Sequence, residues 1–172
     1  MMLLVIGGSG SGKSKWAERV IASLPAAQKR FYIATMQVWD EESRRRVARH
    51  REQRAQLGFE TVECPTDLAA LRLPSGCAAL LEDLPNLLAN EMFGGGDPER
   101  ILPALQALSA RCGTLILVTG NVFADGVVYD PSTQAYIRRL AALNSAAARL
   151  ADTVVEVVYS LPLALKGALP CV

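Results

Sequence analysis

The stretch Gly7-Gly8-Ser9-Gly10-Ser11-Gly12-Lys13-Ser14 constrains this chain more than any other, because it matches G-x-x-x-x-G-K-S/T and directly follows the apolar run Leu3-Leu4-Val5-Ile6. Glycines at this spacing let the backbone curl until successive N–H groups converge on phosphate oxygens. Lys13 is then placed to reach the outer phosphates as a catalytic cation, and the Ser14 hydroxyl to hold Mg²⁺. An amphipathic run follows, with Trp16, Val20, Ile21 and Leu24 at helical spacing. The motif thus lies between a buried strand and a helix whose positive dipole end faces the anion. The predicted phosphate-binding residues are Gly7, Gly8, Ser9, Gly10, Ser11, Gly12, Lys13 and Ser14.

Short apolar runs recur at 3–6, 31–34, 78–81, 114–119 and 154–159, with a shorter candidate at 61–63. Helical patterns lie between them at 13–24, 41–57, 84–93, 98–111 and 133–151. This alternation predicts an α/β, P-loop NTPase-like fold: a mainly parallel sheet with helices on both faces. A chain of 172 residues suits one nucleotide-binding catalytic domain over 1–172. The tail after Ser160 is apolar with little periodicity; it either covers the sheet or packs on a neighbouring subunit.

A formal net charge of +1 supplies no general attraction to nucleic acid or to an anionic membrane. Cys64, Cys77, Cys112 and Cys171 form no C-x-x-C pair, and one histidine is present to join them. Neither a zinc site nor a disulfide framework is indicated. No apolar run approaches the ~20 residues a membrane helix needs. The expectation is a soluble cytoplasmic protein with reduced thiols.

Two further segments carry candidate chemistry. The run 78–81 ends in Glu82 and Asp83, and an acid at this place in phosphate-loop proteins positions the metal or its waters. Either carboxylate is a metal candidate beside Ser14. The segment 44–54 is strongly basic, and Arg46, His50 and Arg54 recur every four residues, on one face of a helix. His50 is the single histidine. Cations on both sides disfavour the imidazolium, and a neutral imidazole is a nucleophile. The arginines can also hold a triphosphate and stabilise a departing pyrophosphate. A solvated basic face with no role for the histidine accounts for the same composition, and nucleic-acid binding is a weaker third reading without interleaved aromatics. The polar, turn-rich segment 118–131 leaves a strand end, where open α/β sheets bind ligands.

Together these residues resemble the bifunctional adenosylcobinamide kinase / adenosylcobinamide-phosphate guanylyltransferase family. The match runs nearly the whole chain in order: Gly7–Ser14, then Tyr32-Ile33-Ala34-Thr35, then Arg46-Val47-Ala48-Arg49-His50-Arg51-Glu52-Gln53-Arg54 in the R-(I/V)-x-x-H-x-x-x-R pattern, then Thr61-Val62-Glu63, Leu80-Leu81-Glu82, Val118-Thr119, Asn144 and Ala151-Asp152. The phosphate loop is shared by very many proteins; the histidine pattern is far more specific. The resemblance implies that ATP or GTP phosphorylates the aminopropanol hydroxyl of adenosylcobinamide. GMP from GTP then passes through a histidine to the new phosphate, giving adenosylcobinamide-GDP and pyrophosphate. By resemblance His50 is the guanylylated residue. Ala34, Thr35, Met36, Arg51, Glu52, Gln53, Arg54, Glu63 and Glu82 fall at nucleotide-contacting positions. A trimer with sites near subunit boundaries is implied as well.

The chain departs from the family pattern at Gly120-Asn121-Val122, where many members carry Asn-Glu-Val, at Ala141-Ala142 in place of Gly-Arg, at Ala55 in place of proline, and at Asp83 in place of a frequent cysteine. These departures leave two alternatives beside the bifunctional enzyme: a small-molecule kinase that has lost guanylyl transfer, and a non-catalytic nucleotide-binding protein.

Overall fold

Alternation along parallel strands sends successive side chains to opposite faces, and here it builds two cores. The computed structural model describes residues 1–37, 52, 54–121, 127 and 129–171. In chain order the elements are β1 (Met2–Gly7), α1 (Lys13–Ala22), β2 (Arg30–Ala34), β3 (Phe59–Glu63), β4 (Ala78–Glu82), α2 (Leu84–Phe93), α3 (Ile101–Arg111), β5 (Thr114–Gly120), α4 (Pro131–Leu150), β6 (Thr153–Val158) and β7 (Leu161–Lys166). Short 3-10 turns occupy Leu68–Ala70 and Pro98–Arg100. Residues 52 and 54–56 are helical, at the end of the helix predicted over 41–57.

The sheet order is β3-β2-β4-β5-β1-β6-β7. All pairings are parallel except β6 with β7. Leu3, Val5, Tyr32, Leu80, Ile116, Val118 and Val155 turn to one face and pack on Trp16, Ala17, Val20 and Ile21 of α1. Met2, Leu4, Ile33, Leu81, Leu115 and Leu117 turn to the other face, against α2, α3 and α4. Helices therefore cover both faces, as the alternation predicts. Among the described residues no helix is long and apolar enough to cross a membrane.

Helix starts follow local chemistry. The Asp83 carboxylate accepts the Asn86 N–H at 2.9 Å to cap α2, and Asp130 accepts the N–H groups of Ser132 (2.9 Å) and Thr133 (3.1 Å) to cap α4. Proline stands in the first turn of both helices, where no N–H is needed. Lys166 closes the far end of α4 by donating to the carbonyls of Ala148, Arg149 and Ala151.

The apolar tail after Ser160 is an antiparallel edge strand. Tyr159 and Ser160 form the hairpin turn with φ of 49° and 65°. Turns with two left-handed residues match strand twist but favour Asn and Gly, and neither residue type is present here. Pro162 is tolerated because β7 lies at the sheet edge.

Candidate active site

The carboxyl ends of β1, β2, β3 and β4 lie at one edge of the sheet, and the predicted residues Gly7 to Ser14, Ala34, Thr35, Met36, Glu63, Glu82 and Asp83 lie at or just beyond these strand ends. Gly7 ends β1 and Gly12 opens α1. Their lack of a side chain is required by space. A Cβ at Gly7 would stand 2.7 Å from the Val157 carbonyl oxygen. A Cβ at Gly12, where φ is 89°, would stand 2.5 Å from Ser160 Oγ. The loop closes on itself through Ser11 N–H to the Gly8 carbonyl at 3.2 Å, and α1 begins with Trp16 N–H on the Gly12 carbonyl at 2.9 Å. Lys13 folds over the loop, its Nζ 3.3 Å from the Gly8 carbonyl oxygen. This curl at a helix N-terminus can hold a polyphosphate.

Ser14 and Glu82 meet beside the loop. The Ser14 hydroxyl donates to Glu82 Oε1 at 2.5 Å, while Glu82 Oε2 is buried without a hydrogen-bond partner. Burial is the main cause that pushes the Glu82 carboxyl up to about 7; the Ser14 bond opposes it, Asp83 adds to it, Lys13 opposes it and Glu18 adds to it. Asp83, one residue on, faces away and caps α2. The two acids that tie in the sequence are thus divided because β4 ends at Glu82 and Asp83 lies beyond it as the N-cap of α2. Glu82 faces the phosphate loop, and Asp83 secures the helix that follows.

Thr35 ties this corner together. It is fully buried, and its Oγ1 accepts the Asp83 N–H at 2.8 Å and lies 2.9 Å from the carbonyl oxygens of Glu82 and Asp83. Its own N–H donates to the Glu82 carbonyl at 3.1 Å. The peptide between Glu82 and Asp83 is cis. Asn90 of α2 donates to the carbonyls of Thr35 (2.8 Å) and Pro65 (2.9 Å), anchoring the loops after β2 and β3.

Ala34, Glu63 and Glu82 form one register row across β2, β3 and β4. Side chains in one row of parallel strands share a face, so Glu63 and Glu82 flank Ala34 on the α1 side. Glu63 and Met36 are exposed. Glu52 is helical and exposed, whereas Arg54 is buried with its guanidinium over the Tyr32 ring. Arg46, His50, Arg51 and Gln53 lie outside the described residues, as do residues 122–126 and 128 of the predicted substrate-facing segment. At the start of that segment, Thr119 donates to Asn144 Oδ1 at 2.7 Å, and Asn144 Nδ2 donates to the Gly120 carbonyl at 3.3 Å.

One contributor escapes sequence reasoning. The Ser160 N–H, in the β6–β7 turn, donates to the Ser11 carbonyl at 2.8 Å, so the hairpin props the phosphate loop from beneath. The contact uses main-chain atoms of a turn with no glycine, and nothing in the residue types announces it. A cavity of about 450 Å³ lies elsewhere, between the turn Leu68–Ala70 and α3, and none of the predicted site residues lines it.

Known proteins resemble this chain over nearly its whole length. A family model described as "Cobinamide kinase / cobinamide phosphate guanyltransferase" matches residues 3–165. The chain is 34% identical over 170 residues to the bifunctional adenosylcobalamin biosynthesis protein CobP of Pseudomonas aeruginosa, covering 95% of this chain and 96% of that protein. It is 32% identical over 185 residues to the bifunctional adenosylcobalamin biosynthesis protein CobU of Salmonella typhimurium, covering 96% and 100%. Against the Escherichia coli protein of the same name, identity is 30% over 185 residues with the same coverage. With a family model spanning all but the chain's ends and relatives aligned over nearly their full length, the chain belongs to the cobinamide kinase / cobinamide phosphate guanyltransferase family.

Proposed function

We propose that this chain, as one catalytic domain, phosphorylates adenosylcobinamide and then guanylylates the product, using GTP for the second step and ATP or GTP for the first. The observation that carries this reading is family membership over residues 3–165, joined to an intact phosphate loop with Ser14 on Glu82. In the kinase step the acceptor hydroxyl attacks the γ phosphorus, the bond to the bridging oxygen breaks, and the nucleoside diphosphate leaves. In the transferase step a ring nitrogen of His50 attacks the α phosphorus of GTP and pyrophosphate departs. A phosphate oxygen of the acceptor then displaces the histidine, giving adenosylcobinamide-GDP. Splitting one displacement into two is the advantage of a covalent intermediate.

The residues assigned to these steps are those of the corner described above. Gly7 to Ser14 cradle the phosphates, and Lys13 balances charge that develops on the transferred group. Ala34, Thr35, Met36, Arg51, Glu52, Gln53, Arg54, Glu63 and Glu82 border the nucleotide. Ser14 and Glu82 would hold Mg²⁺, with Asp83 as the weaker candidate. A hydroxyl and a carboxylate are the hard oxygen donors the ion prefers, and the unpartnered Glu82 Oε2 is a free donor atom. Mg²⁺ supplies charge neutralisation on the phosphates and so a better leaving group. We further assign the protein to the cytoplasm and to a homo-oligomer, a trimer in the family pattern. The exposed Leu161, Leu163 and Leu165 of edge strand β7 support an interface.

The test is incubation with Mg²⁺ and GTP labelled at the α phosphate, with no corrinoid present. Acid-labile, alkali-stable label on the protein is the expected result, lost in His50→Ala with phosphoryl transfer to adenosylcobinamide retained. Label that survives His50→Ala sinks the mechanism. GTP binding without label in the wild-type protein leaves a kinase alone.

A further inference from the structure

The groove between the turn Leu68–Ala70 and α3 encloses about 450 Å³ and has no part in the chemistry described above. It lies on the face of the sheet opposite α1. Its floor is aliphatic: Leu68, Ala104 and Leu108 are buried there and Leu71 is half-buried. On α3, residues 104, 108 and 111 follow at spacings of four and three, so they form one stripe along the helix. The stripe is apolar from Ala104 to Leu108 and ends on Arg111, about 10 Å along the axis from Ala104. Among the described residues no aromatic ring lines the groove.

The charges around the groove are uneven. Arg72, Arg100 and Arg111 line it against a single acid, Glu99. Glu99 is paired with Arg139 of α4 at 2.6 Å, and Arg100 is paired with Asp67 at 3.2 Å. Among the described residues no carboxylate forms an ion pair with Arg72 or Arg111. Both guanidinium groups are instead anchored on one short stretch of main chain. Arg72 donates through one nitrogen to the carbonyls of Ala69 (2.7 Å) and Leu71 (3.1 Å), and Arg111 donates through Nε to the carbonyl of Leu73. Each uses a single nitrogen for this, and the shared anchor keeps the two cations at one end of the groove. Their two full charges exceed the roughly half unit of negative charge at the carboxyl end of α3.

We propose that this groove is a binding site for an aliphatic carboxylate of medium chain length, with the chain along Leu68, Leu71, Ala104 and Leu108 and the head group on Arg72 and Arg111. A planar carboxylate meets the fork of an arginine in two parallel hydrogen bonds. A floor of leucine and alanine suits an aliphatic chain and offers an aromatic ligand no ring to stack on. A concave apolar surface with a few convergent polar groups at one end is the usual form of a small-molecule site. The site is separate from the nucleotide corner: no residue of the phosphate loop lines it, and neither does Glu63 or Glu82. The proposal therefore stands whether or not guanylyl transfer occurs.

The experiment is calorimetric titration of the full chain with octanoate, beside octanol (the same chain without charge) and propionate (the same head without the chain). Octanoate is expected to bind saturably, one molecule per chain. Octanol and propionate should each bind at least about tenfold more weakly, since each lacks one half of the match. Arg72→Gln removes an exposed cation and should weaken octanoate roughly tenfold. Ala107→Trp fills the groove from an exposed position and should abolish binding. Octanoate should also raise the unfolding temperature of the wild-type protein, as a ligand of the folded state does, and leave that of Ala107→Trp unmoved. Four results overturn the proposal. Octanol binding as tightly as octanoate removes the anion recognition. Propionate binding as tightly reduces the site to exposed arginines. Unchanged octanoate affinity in both Arg72→Gln and Ala107→Trp places the ligand elsewhere. A wild-type protein that gives neither heat nor a shift in unfolding temperature has no such site.

Discussion

The Ser14 hydroxyl and the Glu82 carboxylate, 68 residues apart in sequence, are joined across 2.5 Å at the top of the sheet. The bond links the first turn of the phosphate-loop helix to the end of a strand two places away in the sheet. It keeps a largely buried acid beside the first turn of the phosphate-loop helix. That acid has one oxygen committed to Ser14 and the other unpartnered.

Glu82 makes the nucleotide-free protein less stable as pH rises. Its carboxyl sits at about 7 in the fold against 4.5 for an ordinary glutamate, so between those limits the folded state binds more protons than the unfolded chain. Stability therefore falls as pH climbs from about 4.5 to about 7 and levels off above, by roughly 3 kcal/mol. Glu82→Gln keeps the shape and an acceptor for Ser14. Thermal unfolding should find it more stable than wild type at pH 8 and no more stable at pH 4.5. Parallel profiles for the two proteins would exclude a proton held at this site.

Thr35→Val replaces a buried hydroxyl with a methyl of similar size. It strands the Asp83 N–H, for which Thr35 Oγ1 is the acceptor at 2.8 Å. The expected loss is about 1–3 kcal/mol of stability. Because Thr35 also lies against the Glu82 carbonyl, the kinase rate should fall further than stability alone explains. Urea titration beside a kinase assay separates the two, and an unchanged kcat would count against this coupling.

The phosphate loop and the β6–β7 turn should fail together. Gly12→Ala must accept a positive φ and a Cβ 2.5 Å from Ser160 Oγ. It is expected to cost at least about 1 kcal/mol and to weaken GTP binding. Ser160→Pro cannot adopt φ near 65° and loses the N–H held by Ser11, so it should also weaken GTP binding although residue 160 lies outside the motif. Ser160→Gly keeps the N–H and suits the left-handed turn, and should stabilise by about 0.5–1 kcal/mol. Calorimetric GTP titration of the three variants checks the set.

Asn144→Leu tests a support behind the chemistry. Asn144 binds Thr119 and Gly120 at the end of β5. Its removal leaves a buried hydroxyl and a carbonyl unpaired, for a loss of about 2 kcal/mol. Denaturant unfolding should show the lowered midpoint, and a midpoint at the wild-type value would refute the assignment.

Much of this was legible in the residues. The G-x-x-x-x-G-K-S/T spacing after an apolar run announced the loop, and the strand–helix alternation announced a sheet covered on both faces. The choice between Glu82 and Asp83 was only half legible, since strand alternation puts Glu82 on the face of Leu80 but does not say that β4 ends there and that Asp83 caps α2. Deciding it required knowing that Leu80, not Leu81, faces α1. The strand β7 was not legible, because its turn uses Tyr159 and Ser160 where the usual signal is Asn-Gly, and its apolar residues face outward.

Residue order alone was enough for the nucleotide-binding loop, the parallel architecture and the family, because those depend on local spacing and on periodicity, which are properties of neighbouring residues. The three-dimensional arrangement was needed to learn that Glu82 meets Ser14, that Thr35 locks the corner, that Ser160 props the loop and that Arg54 lies on Tyr32. The physical reason is the same for all four. Each is a contact between segments far apart in the chain, made specific by burial and strand order, and no local pattern encodes which distant group will arrive.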